Sequence, residues 1–428
     1  MWISIVRSAS TYTILLLLCS GNCPEAKAAQ ATDAQFITLD EAIANTLGEN
    51  PQLRAFGYQL DIKRGRVQQA NLAPNPELLV TIEDTLGTGE YQGFGSAETT
   101  ISLGWTFEHA IREHRITTAQ ASESLAAADI EVLRVDVVAE TARRFLTLMA
   151  HQARTVTARE AVNLAELTVE AVQERVDAAR SPDADLARAQ AELAFAVLAQ
   201  EDIEHELRTA RHQLAAQWGS TEPDFEQAQG NPYVLPTALS LADLQLQARQ
   251  NPQVTHYLTK QRLDEAELRL AEAQRKPGWI GVAGIRRYES TDDFAVVTGF
   301  TIPLARRNRN AGNIAAAHSM IDQTLAESAA AKVNIETSLY VFYEALQHSL
   351  HRAATLRDDV LPRIEFALTK TQTAYELGRY SYFEWRTVQA ELIEAKNALI
   401  EASIDAHRNV IEIERLTGVR VVQARTAP

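Results

Sequence analysis

Cysteine is almost missing from this chain: Cys19 and Cys23 are the only two among 428 residues. Both precede Ala28, where a charged start at Arg7, an apolar run over 12–19 and the Ala26-Lys27-Ala28 site mark a secretory signal peptide over residues 1–28. Neither cysteine follows the small residue that a lipid-attachment signal asks for; Leu18 and Asn22 stand there instead. Cleavage after Ala28 leaves a mature chain with no disulfide and no thiolate metal site. Positive charge is also scarce. The formal net charge is −15, so no basic face displaces counterions from phosphates and nucleic-acid binding is excluded. After the signal, no apolar run approaches the ~20 residues of a transmembrane helix. Phosphate-binding glycine loops, a His-Glu-x-x-His pair and a nucleophile elbow are all absent. Nothing supports catalysis or a bound cofactor. An exported chain without a spanning helix is either soluble in the periplasm or part of a β-barrel.

Glycine and proline are absent where they would interrupt a helix. The stretch 110–178 has neither, and 313–377 has no glycine and one proline, Pro362. At 1.5 Å per residue such helices reach on the order of 100 Å, which suits a rod or a tube better than a globular domain.

What is present is written twice, at a shift of about 200 residues. Leu39-Asp40-Glu41-Ala42 with Asn50-Pro51-Gln52 answers to Leu241-Ala242-Asp243-Leu244 with Asn251-Pro252-Gln253. Ala189-Gln190-Ala191-Glu192-Leu193 answers to Val388-Gln389-Ala390-Glu391-Leu392, and Trp218-Gly219 to Thr417-Gly418. The expected organisation is a first repeat over 29–219, a linker over 220–240, a second repeat over 241–418 and a tail over 419–428. Each repeat reads as two helices, a β-hairpin, a very long helix, a turn and another long helix. The long helices are expected over about 110–178, 184–218, 310–377 and 382–416.

The hairpins cover 77–107 and 278–304. In the first, Ile101, Leu103, Trp105 and Phe107 share one face and Glu98, Thr100, Ser102 and Thr106 the other. In the second, Phe294, Val296, Phe300, Ile302 and Leu304 share a face. Arms of this length suit tilted membrane strands, expected to need ~9–11 residues. Four strands cannot close a barrel, and open edges are forbidden in lipid. Closure therefore needs other copies, and geometry alone does not choose between eight and twelve strands. On the residues alone, a periplasmic coiled-coil adaptor or scaffold stays open as a second reading.

The duplicated plan resembles the TolC-like outer-membrane efflux family over nearly the whole mature chain. Gln69-Ala70 with Pro74-Asn75-Pro76-Glu77-Leu78, Ala97-Glu98-Thr99-Thr100-Ile101-Ser102-Leu103 and Tyr375-Glu376-Leu377-Gly378-Arg379-Tyr380-Ser381 are similar to its cobalt–zinc–cadmium resistance (CzcC-like) branch. That resemblance implies an α-helical tunnel plus a β-barrel, with four strands per chain contributing to a trimeric twelve-stranded barrel in the outer-membrane lipid. Long antiparallel helices would form the periplasmic tube. It implies a homotrimer that docks on a periplasmic membrane-fusion adaptor and an inner-membrane RND pump, and that passively discharges divalent heavy-metal cations. A multidrug or type I secretion duct shares the fold. One departure is Glu108-His109-Ala110-Ile111-Arg112, where the branch has a Gly-Gly-Lys/Arg stretch.

Candidate site residues follow from that plan. The turn residues Arg180, Ser181, Pro182 and Asp183, with Gly378, Arg379, Tyr380 and Ser381, are expected to face the adaptor. The first turn lacks a glycine, so a proline-containing reversal is expected there. Asp177, Asp185, Glu376 and Glu384 are candidates for an acidic gate, because threefold symmetry turns one inward acid into a ring. Trp105, Phe107, Trp279 and Phe300 are candidates for an aromatic girdle. His348 and His351, with Glu344, lie within reach on one helix, but exposed helix histidines are the simpler reading and no metal site is assigned.

Overall fold

A computed structural model describes residues 36–418 except 238, 277 and 304–306; the expected signal segment 1–28, the tail 419–428 and Leu304 lie outside the described residues. The described residues begin with β1 (Phe36–Ile37), α1 (Leu39–Glu49) and α2 (Pro51–Ala70). The first hairpin, β2 (Glu77–Glu83) and β3 (Glu98–Phe107), leads into α3 (His109–Asp177) and α4 (Asp183–Ala215). β4 (Gln227–Ala228) then pairs in parallel with β1, so the stretch between the repeats returns to the start of the first one. The order repeats with α5 (Leu241–Ala248), α6 (Pro252–Ala273), β5 (Trp279–Tyr288), β6 (Asp293–Thr301), α7 (Ala311–Thr355), α8 (Leu361–Glu376) and α9 (Tyr382–Thr417).

α3 holds 69 residues in one helix, about 100 Å at 1.5 Å per residue. Its counterpart differs from the single helix expected over 310–377. A widened π-type turn, Leu356–Val360, joins α7 to α8. Pro362 explains it: proline has no N–H, and its ring crowds the carbonyl four residues earlier, at Asp358. The wide turn takes up that break without ending the rod.

The duplicated Asn-Pro-Gln motif has a structural use. Asn50 Oδ1 accepts from the backbone N–H of Gln52 (2.9 Å) and Leu53 (3.0 Å), capping α2, while its Nδ2 donates to the carbonyl of Gln217 at 2.7 Å. Asn251 Oδ1 accepts from the N–H of Gln253 at 2.6 Å, and its Nδ2 donates to the carbonyl of Leu416 at 2.7 Å. One side chain thus caps a starting helix and ties it to the end of a returning one, within each repeat.

Each repeat has its own apolar knot near its short first helix. Leu148, Leu214, Trp218 and Phe225 form one beside α1, and Leu339, Leu346, Val410 and Ile413 the other beside α5. Burying each such aliphatic side chain stabilises the fold by roughly 2 kcal/mol. Among the described residues, no helix is long and apolar enough to cross a membrane.

Candidate functional site: a barrel wall and a turn end

The four long strands form one antiparallel sheet in the order β2-β3-β5-β6. β3 and β5, from different repeats, pair along ten residues, with Phe107 opposite Trp279 and Glu98 opposite Tyr288. β2 and β6 are the sheet's edges.

The register sorts side chains onto two unlike faces. Leu78, Val80, Ile101, Ile285, Val296 and Phe300 share one, and all are exposed. An apolar face this wide, left open to solvent, is what lipid contact requires. At one end of that face Phe107 stacks on Trp279 with ring centroids 4.2 Å apart, and Trp279 meets Phe300 at 5.7 Å. Trp105 lies on the same face, opposite Gly281. The sheet therefore gathers the four candidate girdle aromatics near its helix-bearing end.

The opposite face is polar. Arg286 of the second repeat donates to Thr100 Oγ1 at 2.8 Å, to Glu83 at 3.0 Å and to Glu98, all in the first. Sequence reading missed Arg286; the signal was an arginine at an inward alternation position, next to Arg287, which faces the other way.

At the far end of the helices lie the two turns. The expected proline reversal in the first is corrected: Ala179 does the reversing, at φ 59°, while Pro182 stands at the start of α4. The N–H of Arg180 donates to the carbonyl of Arg175 at 2.7 Å and that of Ala179 to Val176 at 2.8 Å. In the second turn Gly378 holds φ 74°, Arg379 N–H donates to Ala374 at 2.8 Å and Gly378 N–H to Tyr375 at 2.8 Å. The two closures are the same Schellman motif, one on glycine and one on alanine. A glycine was not needed because the hydrogen-bonded frame and the packing beneath it hold Ala179 in place.

That packing consists of Val172, Ala189, Tyr375, Tyr382 and Trp385, all buried. Tyr375 stacks on Trp385 at 4.9 Å, and the Arg175 guanidinium lies 4.7 Å over the Tyr375 ring. Burial pushes the Tyr375 and Tyr382 hydroxyls up, so both stay neutral. Arg175 and Trp385 were not singled out in the sequence, and Tyr375 was read only as part of the turn motif. Their signal, two aromatics flanking the turn motif ten positions apart, is read only once the helices are paired.

The four candidate gate acids are each held locally. Glu384 accepts from the Ser381 backbone N–H at 2.7 Å and its hydroxyl at 2.9 Å, which holds its carboxyl below the usual range. Asp185 accepts from the Ser181 hydroxyl at 2.9 Å, Asp177 from Gln173 Nε2 at 2.8 Å and Glu376 from Gln372 Nε2 at 3.2 Å. Arg180, Asp183, Arg379 and Tyr380 are exposed at the turn surface. Just above, a 460 Å³ cleft between α3, α4 and α9 is lined by Thr168, Glu192, Tyr382, Arg386, Gln389 and Asn397. Arg386 pairs with Glu192 across it at 2.6 Å. His348, His351 and Glu344 are exposed, and no group of three metal-binding side chains forms among the described residues.

The outer membrane efflux protein family model matches residues 42–220, the first repeat. The cobalt-zinc-cadmium resistance protein CzcC of Cupriavidus metallidurans is 27% identical over 89% of this chain and 90% of its own. Over its first repeat the chain matches the outer-membrane efflux protein family. The nickel-cobalt-cadmium resistance protein NccC of Alcaligenes xylosoxydans xylosoxydans is 26% identical over 76% of this efflux protein and 74% of its own length. Among solved structures, CusC superposes with a TM-score of 0.75 at 16% identity, covering 90% of this chain and 94% of that one. VceC from Vibrio cholerae follows at TM-score 0.73 and 17% identity, covering 89% and 96%. The efflux protein has their fold, a helical tunnel continuing a β-barrel, and it stands in the outer membrane with its helices in the periplasm. It is a duct and not an enzyme.

Proposed function

We propose that this efflux channel is the exit duct for divalent heavy-metal cations in a tripartite system. Three copies would close a twelve-stranded barrel, and the turn end would meet a periplasmic adaptor that links it to an inner-membrane RND pump. The metal reading is carried by one observation: two curated relatives, CzcC and NccC, are both named for divalent-metal resistance, and CzcC matches along nearly the whole chain. The assembly reading is supported by the two unpaired sheet edges, β2 and β6, which lipid does not tolerate. The exposed turn residues Arg180, Arg379 and Tyr380 support docking at that end.

The test is a susceptibility panel on a strain lacking the gene, covering zinc, cobalt, cadmium, nickel, copper, dyes and detergents. Sensitivity to divalent metals alone, reversed by the cloned gene, is the expected result. Sensitivity to dyes and detergents instead would assign the duct to a multidrug pump. Replacing Arg379 and Tyr380 together should abolish export while membrane insertion is kept; unchanged export would remove the docking assignment.

A further inference from the structure

We infer that Arg275 and Lys276, after α6, and Arg307 and Arg309, before α7, form a basic collar that binds anionic phospholipid of the periplasmic leaflet, directly beneath the aromatic band. The inference rests on the placement of the sheet in the outer membrane.

Each repeat has two junctions between sheet and helices, and their arginines are used differently. In the first repeat Arg112 Nε donates to the Asn71 carbonyl at 2.9 Å, and Arg115 donates to the carbonyls of Ala70 (3.2 Å) and Leu72 (3.1 Å). Arg115 also pairs with Glu108 at 3.0 Å. These two cations are occupied in closing the end of α2, whose last carbonyls have no helical partner. In the second repeat an uncharged group does that work: Asn310 Nδ2 donates to the Ala271 carbonyl at 2.5 Å, at the end of α6. The cations there are left over. Arg275, Lys276, Arg307 and Arg309 are all exposed, and among the described residues none of them pairs with a carboxylate.

The same Asn310–Ala271 bond brings the two junctions together, so the four cations belong to one patch. Such a patch is against the trend of a chain with net charge −15. Its position identifies the partner. Lys276 lies three residues before Trp279, whose ring joins Phe107 and Phe300 on the apolar face. Aromatic rings at the end of a lipid-facing sheet sit at headgroup depth. Cations one step farther toward the helices meet phosphate oxygens at the surface of the periplasmic leaflet. Guanidinium groups suit phosphate, since they donate two parallel hydrogen bonds. Copy-one arginines, already bonded to carbonyls, offer no such surface.

The test uses the detergent-purified full-length channel and a quadruple variant, R275S/K276S/R307S/R309S. Each is reconstituted into phosphatidylethanolamine vesicles with or without 20 mol% phosphatidylglycerol, a probe content of roughly one charged lipid in five chosen so that the surface potential is substantial. A third arm adds inorganic phosphate to the detergent-solubilised protein. A basic residue near an anionic surface contributes about fivefold in affinity. Loss of all four should therefore weaken phosphatidylglycerol retention, read by native mass spectrometry, by roughly several hundredfold, with phosphatidylethanolamine retention unchanged. Wild-type protein that inserts but retains both lipids equally overturns the inference, as does a quadruple variant that keeps its preference. Failure to insert into either vesicle would instead count against the membrane placement. Saturation by phosphate alone would make the patch a small-anion site and not a lipid collar. Should the quadruple variant not fold, the wild-type lipid preference and its retention in the charge-keeping R275K/R307K/R309K variant decide.

Discussion

Arg175, near the end of the first repeat's long helix, lies with its guanidinium 4.7 Å over the ring of Tyr375 in the second repeat and donates to that residue's own carbonyl at 2.6 Å. One side chain thus holds the two turns at a fixed separation. Truncation, Arg175→Ala, removes a partly desolvated cation–π contact and a charged hydrogen bond, together about 2 kcal/mol. Hydrogen exchange should accelerate at the amides of residues 374–381 and leave the apolar knots beside α1 and α5 unaffected. Lysine at 175 should not restore protection, because a single ammonium does not span ring and carbonyl as the planar guanidinium does. Unchanged exchange in the alanine variant would show that the turns are held from elsewhere.

The paired reversals give a reciprocal prediction. Ala179 sits in the left-handed region at φ 59°, where a Cβ costs roughly 1 kcal/mol, so Ala179→Gly should stabilise the turn. Gly378→Ala should destabilise by a similar ~1 kcal/mol. At Gly378 a Cβ would meet only Arg175 Nη2 at 3.7 Å, so the penalty is conformational and not steric. Thermal unfolding of the two single variants and of the double exchange tests this; the double should lie near wild type.

The sheet offers a sharper contrast. A Cβ at Gly284 would run into the Ile101 carbonyl oxygen and Ser102 on the paired strand, whereas at Gly299 it would meet nothing within 4 Å. Gly284→Ala should force β3 and β5 apart and cost 3 kcal/mol or more, about the upper range for overpacking. Gly299→Ala should be neutral. The readout is the heat-resistant folded fraction on a detergent gel; equal fractions would show that the β3–β5 seam yields more than its geometry implies.

A pH effect is expected where α9 packs against the stretch between the repeats. Burial lowers the pKa of His407, against the opposing pull of hydrogen bonds to the Pro232 and Val234 carbonyls, and its Nε2 lies 3.1 Å from the Pro232 oxygen. The neutral ring is the folded form. An unfolded chain takes up a proton near the ordinary histidine value of about 6.5, so this contribution is full above that pH and declines below it, down through the folded value. The melting temperature should fall between pH 7.5 and 5.5, and less steeply in His407→Gln. Equal slopes in the two proteins would assign the acid sensitivity to other groups.

Much of this arrangement was readable in advance, for reasons that can be named. Ile101, Leu103, Trp105 and Phe107 alternate because one face of their strand meets lipid, and that period survives any tertiary context. The uninterrupted helix of 69 residues followed from the missing glycine and proline. Ala179 was misjudged because backbone strain is tolerated where packing holds it, and the packing here comes from another repeat. The widened turn at Leu356–Val360 was missed because Pro362 signals a break without saying how the helix absorbs it. Arg175 with Tyr375, and Arg286 with Glu83 and Glu98, join positions about 200 residues apart. Periodicity says which way a side chain faces along its own element, and not which distant residue it will find there.

The unpaired edges of β2 and β6 have a kinetic consequence. A chain whose membrane sheet cannot be completed by its own strands makes insertion a reaction between molecules, with a rate that rises faster than linearly with the number of waiting copies. Below some supply of newly exported chains, each copy would spend its life with bare strand margins in the periplasm, where proteases act. On that reading, the number of finished ducts would rise more steeply than the supply of chains.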